Sequence, residues 1–336
     1  MAAGLGLILI AVLLGPIFVK PIERNLELFF LIIGALASAL TGQLGWPMLH
    51  AAATDPIALT AAVLVFGIMA RLFRSFFDRA IQRLRAALPS RWIYFTLIIT
   101  LGLLSGLITA VVASMLLVEA VAILKLDRPS ETAAVVLACF AIGLGSGMTP
   151  TGGPLASIAA AALGADFWYL FRLLGPMVIA GMLIVATLSL FISPIPAASL
   201  YAARPEEGWR EILLRAARVY GFVAGLVGLS WGFRPLLGAY ISHVPQAALF
   251  WLNSISAVVD NAALTAAEMS PALAPSQQRA ILMGLLISGG MLIPGNIPNI
   301  VAANRLGIGS REWARVGLAV GLPLMALCFG ALYLVG

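Results

Sequence analysis

Long apolar stretches alternate with short polar segments along this chain of 336 residues. Several stretches reach the roughly 20 residues that an α-helix needs to cross a bilayer. They cover residues 26–46, 92–112, 170–192, 219–237 and 316–335. The pattern therefore predicts an all-α, polytopic membrane protein.

Composition agrees with this prediction. Hydrophobic residues make up 62% of the chain and charged residues 10%, and the mean hydropathy is +1.05. Soluble domains are about half apolar and about a quarter charged. Residues 1–16 are apolar and lack a basic segment, so we expect a retained helix there. His50 and Asp55 fall between apolar stretches, and we expect them in a solvated external loop.

The positive charge is concentrated in a few places. Of the 20 Lys and Arg residues, 17 fall in the segments 20–25, 71–91, 125–131, 204–218 and 305–315. One threading puts all five segments in the cytoplasm, as the positive-inside rule requires. The net charge of +6 thus reflects membrane topology and gives no reason to expect nucleic-acid binding. Residues 71–88 have one apolar and one arginine-rich face, which predicts an interfacial helix against membrane lipid.

The chain contains an internal repeat. ITAVVASMLL (108–117) matches ISAVVDNAAL (255–264), and GMTPTGGPLASIAAAALG (147–164) matches GMLIPGNIPNIVAANRLG (290–307), each with Pro-x-x-x-Pro. Counting passes makes the two copies run in opposite directions across the membrane. We therefore expect about 10–12 membrane segments in two inverted-topology repeats with re-entrant hairpins and Pro/Gly-broken helices.

This organisation divides the chain into four parts. Residues 1–91 form scaffold helices and the amphipathic cytoplasmic helix, and 92–193 form the first repeat. Residues 194–218 are a cytoplasmic linker, and 219–336 form the second repeat.

Two kinds of interruption are expected inside the membrane. The hairpin tips fall at Ala113-Ser114 and at Asp260-Asn261, and the broken helices fall at TPTGGP (149–154) and IPGNIP (293–298). Proline removes a backbone donor, and glycine adopts the dihedral angles of an unwound stretch. Freed backbone groups cannot face lipid, so they must line an enclosed or wet cavity. Inverted repeats with such breaks are typical of secondary transporters.

Only three acidic residues, Glu119, Asp260 and Glu268, lie within the hydrophobic hairpin segments. An Asp at a helix centre costs about 2.5–3.5 kcal/mol on insertion scales, which favours a functional role. The Asp260 carboxylate and the neighbouring Asn261 amide oxygen can both reach one hard cation such as Na⁺. Asp260 can also cap the helix that begins after Asn261, and the two roles are compatible.

Further polar residues of the tips and breaks are candidates for lining the same site. The stronger candidates are Ser114, Thr149, Thr151, Asn296 and Asn299, together with Glu119 as an ion or substrate ligand. The weaker candidates are Glu268, Ser256, Thr109, Gly152 and Gly295. HExxH and CxxC are absent from the sequence, and we expect neither an enzyme nor a cofactor. Cys139 and Cys328 lie in apolar spans and are expected to be free.

The segments SAVVDNAALTAAE (256–268) and IPGNIPNIVAANRLGI (293–308) resemble the ion transporter superfamily. That group includes D-type sodium/proton antiporters, arsenite permeases and citrate or dicarboxylate carriers. The branch of predicted cation transporters is the most similar. The resemblance covers about residues 92–336 and implies inverted repeats, a homodimer, and polar ligands at Asp260, Asn261, Asn296 and Asn299. The Ser-Asn-Thr triplets of the dicarboxylate carriers are missing, which favours a cation.

The sequence thus predicts a secondary active transporter of the inner membrane that exchanges a monovalent cation for protons by alternating access. A sodium- or proton-coupled symporter of a small organic or inorganic anion is the first alternative. A structural or signalling membrane protein without transport activity is the second.

Overall fold

The computed structural model describes residues 2–72, 79, 83, 87–124, 126–193, 208–240, 246–254, 261–269, 271 and 273–333. All regular secondary structure in these residues is helical, as the sequence predicts. Two candidate site residues, Ser256 and Asp260, lie outside the described residues. So does most of the predicted amphipathic helix 71–88.

The described chain forms fifteen α-helices. In chain order they are α1 (Ala2–Phe18), α2 (Lys20–Arg24), α3 (Leu26–Leu40), α4 (Trp46–Leu72), α5 (Ser90–Ile108), α6 (Ala110–Leu124), α7 (Arg128–Ser146), α8 (Pro154–Leu163), α9 (Tyr169–Ser189), α10 (Trp209–Tyr240), α11 (Gln246–Leu252), α12 (Asn261–Glu268), α13 (Pro275–Ser288), α14 (Ile297–Leu306) and α15 (Ser310–Tyr333). A single 3₁₀ turn, Ile293–Gly295, precedes α14.

Six helices among the described residues are long and apolar enough to cross a membrane. The qualifying segments are Trp46–Val65, Arg91–Ile108, Arg128–Ser146, Tyr169–Ser189, Trp209–Pro235 and Ser310–Tyr333. The remaining apolar helices, such as α3 and α6, have 10–17 residues. The length and apolar character of the six indicate a membrane protein.

The structure corrects the predicted loop around His50 and Asp55. The apolar stretch 26–46 ends as a helix at Leu40, and α4 already begins at Trp46 and runs through both residues. The polar side chains of His50 and Asp55 are exposed on this helix. Both polar side chains can be solvated on the exposed face of a helix, so their polarity does not require a loop.

Helices α3 and α10 pack in parallel along a row of small residues. A Cβ on Gly34 would lie only 2.3 Å from the carbonyl oxygen of Gly225. One turn further along, the Ser38 hydroxyl donates to the Gly228 carbonyl oxygen over 2.6 Å. Small side chains allow two backbones to approach this closely, which is a common way to join helices in lipid.

Helices α5 and α7 are also parallel, and α6 runs back between their ends. Ser105 of α5 donates to the Ile142 carbonyl oxygen of α7 over 2.9 Å. The chain reverses at Thr109, which has a φ of 76° between α5 and α6. The tip predicted at Ala113-Ser114 is therefore wrong, because both residues lie inside α6 and the reversal precedes them.

Helices α7 and α13 run antiparallel. Phe140 of α7 lies against Gly290, just beyond the end of α13, whereas Gly147 lies against Leu286 within α13. As the residue number rises along α7, the number of the contacted residue falls, from Gly290 back to Leu286 within α13. The two interrupted helices therefore meet near their C-terminal ends.

Side-chain contacts show which helices begin at the same end of the bundle. Arg128, at the start of α7, bonds to Glu312, at the start of α15, with an N–O distance of 2.7 Å. The Tyr169 hydroxyl, at the start of α9, lies 2.7 Å from Oε1 of Gln278, near the start of α13. Since α7 and α13 are antiparallel, these two clusters occupy opposite ends of the helix bundle.

Two of the basic segments meet at the end that contains Arg128. Its guanidinium also donates to the carbonyl oxygens of Leu306 and Gly307, which joins segments 125–131 and 305–315. This arrangement agrees with the predicted common side for these segments.

Candidate functional site

The first interruption lies between α7 and α8 and contacts the reversal at Thr109. The hydroxyls of Thr149 and Thr151 both donate to the carbonyl oxygen of Gly106, the latter over 3.0 Å. In an unbroken helix this oxygen would accept from the N–H of Ala110. The interruption thus supplies side-chain partners for a carbonyl that the reversal deprives of its helical one.

The N–H group freed by the same reversal has a partner too. Ala110 donates its backbone N–H to the carbonyl oxygen of Gly152 over 2.8 Å. Gly152 is buried, and a Cβ there would lie 2.1 Å from the Ser146 carbonyl oxygen. Glycine is therefore the residue that allows this backbone approach. The predicted candidates Thr109, Thr149, Thr151 and Gly152 lie together here.

The second interruption lies between α13 and α14. Asn299 is fully buried, and its Nδ2 donates to the carbonyl oxygens of Gly289 and Leu292, both over 2.8 Å. One amide thus bonds the carbonyl just after the end of α13 and that of Leu292, which also accepts from the Gly295 N–H. These two contacts orient the amide, so its Oδ1 points away from the carbonyls.

A second asparagine contacts the same residue. Asn261, the first residue of α12, is 6% exposed, and its Nδ2 would lie 2.4 Å from a Cβ on Gly289. The carbonyl oxygen of Gly295 would lie 3.1 Å from the same Cβ position. The candidates Asn261, Asn299 and Gly295 therefore surround Gly289 from three separate segments.

Among the described residues, two buried acceptors at this interruption have no hydrogen-bond partner. They are Oδ1 of Asn261 and Oδ1 of Asn299, each buried from solvent. A buried polar atom without a partner typically costs about 1–3 kcal/mol, which indicates that a ligand or water satisfies it at some stage. Amide and carbonyl oxygens are ligands that hard cations prefer. The chemistry of these orphaned atoms therefore fits a cation.

The two interruptions are in contact with each other through Asn296. Its side chain Nδ2 would lie 2.7 Å from a Cβ on Gly143, in the last turn of α7. The absence of a side chain on Gly143 thus makes room for an amide from the other half of the chain. Asn296 is half-buried and is the N-cap residue of α14.

The helices that follow the two interruptions have the same construction. Both α8 and α14 have 10 residues, an N-cap residue in extended backbone conformation, and a proline in the first two positions. Both end on a left-handed glycine, Gly164 with a φ of 57° and Gly307 with a φ of 64°. Their first turns lie at the interruptions.

Glu119 and Ser114, both predicted as ligands, lie on α6. Glu119 is buried, and its Oε1 lies 3.4 Å from the guanidinium of Arg305 in the last turn of α14. The Ser114 hydroxyl donates to the carbonyl oxygen of Val111 within its own helix over 2.7 Å. Glu119 thus pairs with the end of α14 that is remote from the interruption.

Glu268 belongs to a separate buried polar cluster that sequence reasoning did not recognise. Asn253 donates from Nδ2 to Oε2 of Glu268 over 3.0 Å. Ser288, the last residue of α13, donates to the backbone carbonyl oxygen of Asn253 over 2.7 Å. Asn253 is 2% exposed in the middle of apolar sequence, and a lone Asn there was the available signal.

The described residues contain no group of three or more His, Cys, Asp or Glu side chains placed to hold a metal ion. Cys139 and Cys328 are free and buried. A cation bound by the Oδ1 atoms of Asn261 and Asn299 would therefore have neutral ligands among the described residues. Asp260, the charged ligand predicted for this place, precedes Asn261 directly in sequence and lies outside the described residues.

Comparison with known proteins gives one family. A family model described as "Protein of unknown function (DUF1646)" matches residues 2–335. No curated protein matches the chain.

Proposed function

The chain belongs to the DUF1646 family, described as of unknown function, and we propose from its residues that it is a secondary active transporter. In this proposal it exchanges a monovalent cation, Na⁺ or a similar ion, for protons across the inner membrane. The observation that supports it best is the pair of orphaned buried oxygens, Asn261 Oδ1 and Asn299 Oδ1, at an unwound stretch inside an apolar helix bundle. Such atoms suit an ion that enters and leaves.

The arrangement of helices supports an inverted repeat. In this view α6, α7, α8 and α9 correspond to α12, α13, α14 and α15, and the antiparallel packing of α7 and α13 agrees with opposite directions. The contacts correspond as well, because α6 packs against α14 and α8 packs against α12. Each half thus places its short post-interruption helix against the hairpin arm of the other half.

The inverted halves suggest how the ion reaches both sides. Two similar structures of opposite direction can exchange roles by a small rotation, which opens the same site first to one side and then to the other. Helices α3 and α10, packed tightly through glycines, are suited to a static scaffold. A homodimer formed through such a scaffold is part of the proposal.

A coupled anion carrier is the alternative, because the N-termini of α8 and α14 both point their positive ends at the interruptions. Two facts favour the cation. Each N-terminus has a proline in its first two positions, which removes an N–H donor. The buried orphaned atoms at the interruption are acceptors, which an anion cannot satisfy.

Proteoliposomes test the proposal directly. The purified protein should take up ²²Na⁺ against an imposed proton gradient, and Na⁺ should evoke alkalinisation in everted vesicles. Asn299→Ala should reduce uptake at least tenfold, because it removes an orphaned oxygen and the amide that holds two carbonyls. Asp260→Asn should abolish Na⁺ uptake and with it the Na⁺-evoked proton response, because it removes the predicted charged cation ligand.

Asn304→Ala is the matched control on the same helix. Asn304 is half-buried, and within the described residues its side chain donates to the Ile300 carbonyl oxygen of its own helix over 3.1 Å, so its loss should leave uptake within about twofold. Thermal unfolding of each variant with and without Na⁺ separates lost binding from lost folding. Uptake of a labelled anion without any cation response would favour the alternative, and a protein that moves neither would contradict the transporter proposal.

A further inference from the structure

Glu268 is a buried carboxyl group at the opposite end of α12 from the cation ligand Asn261. It is 6% exposed, and its Oε2 accepts from the amide of Asn253. Among the described residues, Glu268 forms no ion pair with a basic side chain. In this respect it differs from Glu119, which has Arg305.

The elements around Glu268 provide little countercharge. Helix α12 packs against α8, α10 and α13. Helix α8 has no titratable residue, and the only one in α13, Arg279, donates from Nε to the Leu173 carbonyl oxygen on α9. The titratable residues of α10 are Arg210, Glu211, Arg215, Arg218, Tyr220, Arg234 and Tyr240. Of these, Arg218 approaches Glu27 and Arg234 lies over the Trp231 ring.

These surroundings allow two protonation states. Burial without a cation favours the neutral acid, because an isolated buried carboxylate loses its hydration. The amide of Asn253 opposes this effect, because its N–H stabilises the carboxylate. A group under two opposed influences can bind and release a proton, whereas a carboxylate fixed by arginine remains ionised.

Two connections link this group to the cation site. Asn261 and Glu268 are the first and last residues of one helix, about 10 Å apart at 1.5 Å per residue. In addition, Ser288 bonds the Asn253 carbonyl oxygen, and the next residue, Gly289, is held by Asn299. A movement of α12 or of the end of α13 therefore affects both places.

We propose that Glu268 is the proton-binding site of the exchanger, separate from the cation ligands, with Asn253 as its positioning residue. This inference rests on the proposed function. When a cation binds among Asn261, Asn299 and Gly295, the Glu268 carboxyl releases one proton and becomes a carboxylate, so the net charge of the buried region is unchanged. When the cation leaves, a proton returns to the same oxygen pair.

The decisive variant is Glu268→Gln, which keeps the shape of the side chain and a carbonyl oxygen that can accept from Asn253. Reconstituted Glu268→Gln should lose Na⁺ uptake driven by a proton gradient, by at least tenfold. It should keep ²²Na⁺ counterflow, the exchange of Na⁺ for Na⁺, within about threefold of the unmodified protein. Only a proton site distinct from the cation site gives this separation.

Asp166→Asn is the matched control. The backbone N–H of Trp168 and the guanidinium of Arg172 hold the pKa of the exposed Asp166 carboxyl below its usual range. It therefore stays ionised near neutral pH and exchanges no proton. Its loss should change neither proton-driven uptake nor counterflow.

Asn253→Leu gives a second, independent readout. It removes the N–H that stabilises the carboxylate, so the pH of half-maximal exchange should rise by about one to two units, the effect of one hydrogen bond to a charged group. An unchanged pH profile in this variant would overturn the role of Asn253.

The remaining outcomes separate the two proposals. Proton-driven uptake that survives in Glu268→Gln would overturn the proton site while the exchanger stands. Loss of both uptake and counterflow in that variant would place Glu268 in the cation site and overturn the separation. An unmodified protein without any Na⁺ or proton movement would instead overturn the proposed function itself.

Discussion

At the scale of single residues, hydroxyl and amide side chains replace the hydrogen bonds that the interrupted helices lose. Thr149 and Thr151 bond the Gly106 carbonyl oxygen, and Asn299 bonds two carbonyls of the second interruption. The two interruptions differ in which polar atoms remain without a hydrogen-bond partner. The second interruption keeps orphaned amide oxygens, whereas the two threonine hydroxyls also contact each other at 3.1 Å.

The threonine pair predicts a non-additive double mutant. Thr149→Val or Thr151→Val alone leaves the Gly106 carbonyl with one hydroxyl partner, so each should cost less than about 1 kcal/mol in the free energy of unfolding. The double variant orphans a buried carbonyl and should cost about 1–3 kcal/mol more than the sum. Thermal unfolding of the four proteins in detergent measures this coupling. Simple additivity would show that the shared carbonyl is unimportant.

At the scale of helices, parts of the arrangement could be read from the sequence and parts could not. TPTGGP and IPGNIP located both interruptions, because proline and glycine act on the backbone next to them. The reversal at Thr109 has no such residue, and threonine disfavours a positive φ. Its conformation depends on the Ala110 bond to Gly152, a contact 42 positions away that no local pattern encodes.

The same distinction between local patterns and long-range contacts explains which candidate ligands could be predicted from the sequence. Asn261 and Asn299 were predicted because amides are rare in apolar sequence. Asn261 lies at an expected hairpin tip and Asn299 at an expected helix break. The partner of Glu119 was not predicted from the sequence, because Arg305 lies 186 positions away and joins α6 to α14 only in the folded chain. Asn253 was missed because its partners, Glu268 and Ser288, lie on two other segments.

The close packing of α3 and α10 predicts a strong effect of one methyl group. In Gly34→Ala the new Cβ would lie 2.3 Å from the Gly225 carbonyl oxygen, which belongs to backbone and cannot rotate away. We expect a loss of about 2–3 kcal/mol, of the size found for overpacked cores. The midpoint of thermal unfolding in detergent should fall by several degrees.

Gly175→Ala in α9 is the matched control for this helix substitution. The nearest atom to its new Cβ is Phe171 Cε2 at 3.7 Å, an ordinary contact, and alanine favours a helix over glycine by about 1 kcal/mol. This variant should unfold at the same or a higher temperature. A Gly34→Ala protein as stable as the control would show that the two helices can separate freely.

At the scale of the whole molecule, the two ends of the bundle differ in their share of basic segments. One end has Arg128 with Glu131 and Glu312, in the segments 125–131 and 305–315. At the opposite end, Tyr169 and Gln278 are accompanied by Arg172, which pairs with Asp166, and by Arg279. A membrane protein keeps its basic residues on the cytoplasmic side. The inverted arrangement therefore predicts that α7 and α13, which occupy corresponding places, begin on opposite sides of the membrane. Helix α15 begins beside α7, where Glu312 bonds Arg128, and so marks the side on which α7 begins.

Cysteine labelling can test this orientation in whole cells. In a background with Cys139→Ala and Cys328→Ala, Ser276→Cys and Arg311→Cys place single thiols at exposed positions near the starts of α13 and α15. A membrane-impermeant maleimide should label Ser276→Cys in intact cells and Arg311→Cys only after the cells are opened. Because the reagent cannot cross the membrane, labelling reports on which side each thiol lies. Labelling of both positions from the same side would contradict the inverted repeat. It would also contradict the alternating exposure of the cation site at Asn261 and Asn299, on which cation exchange depends.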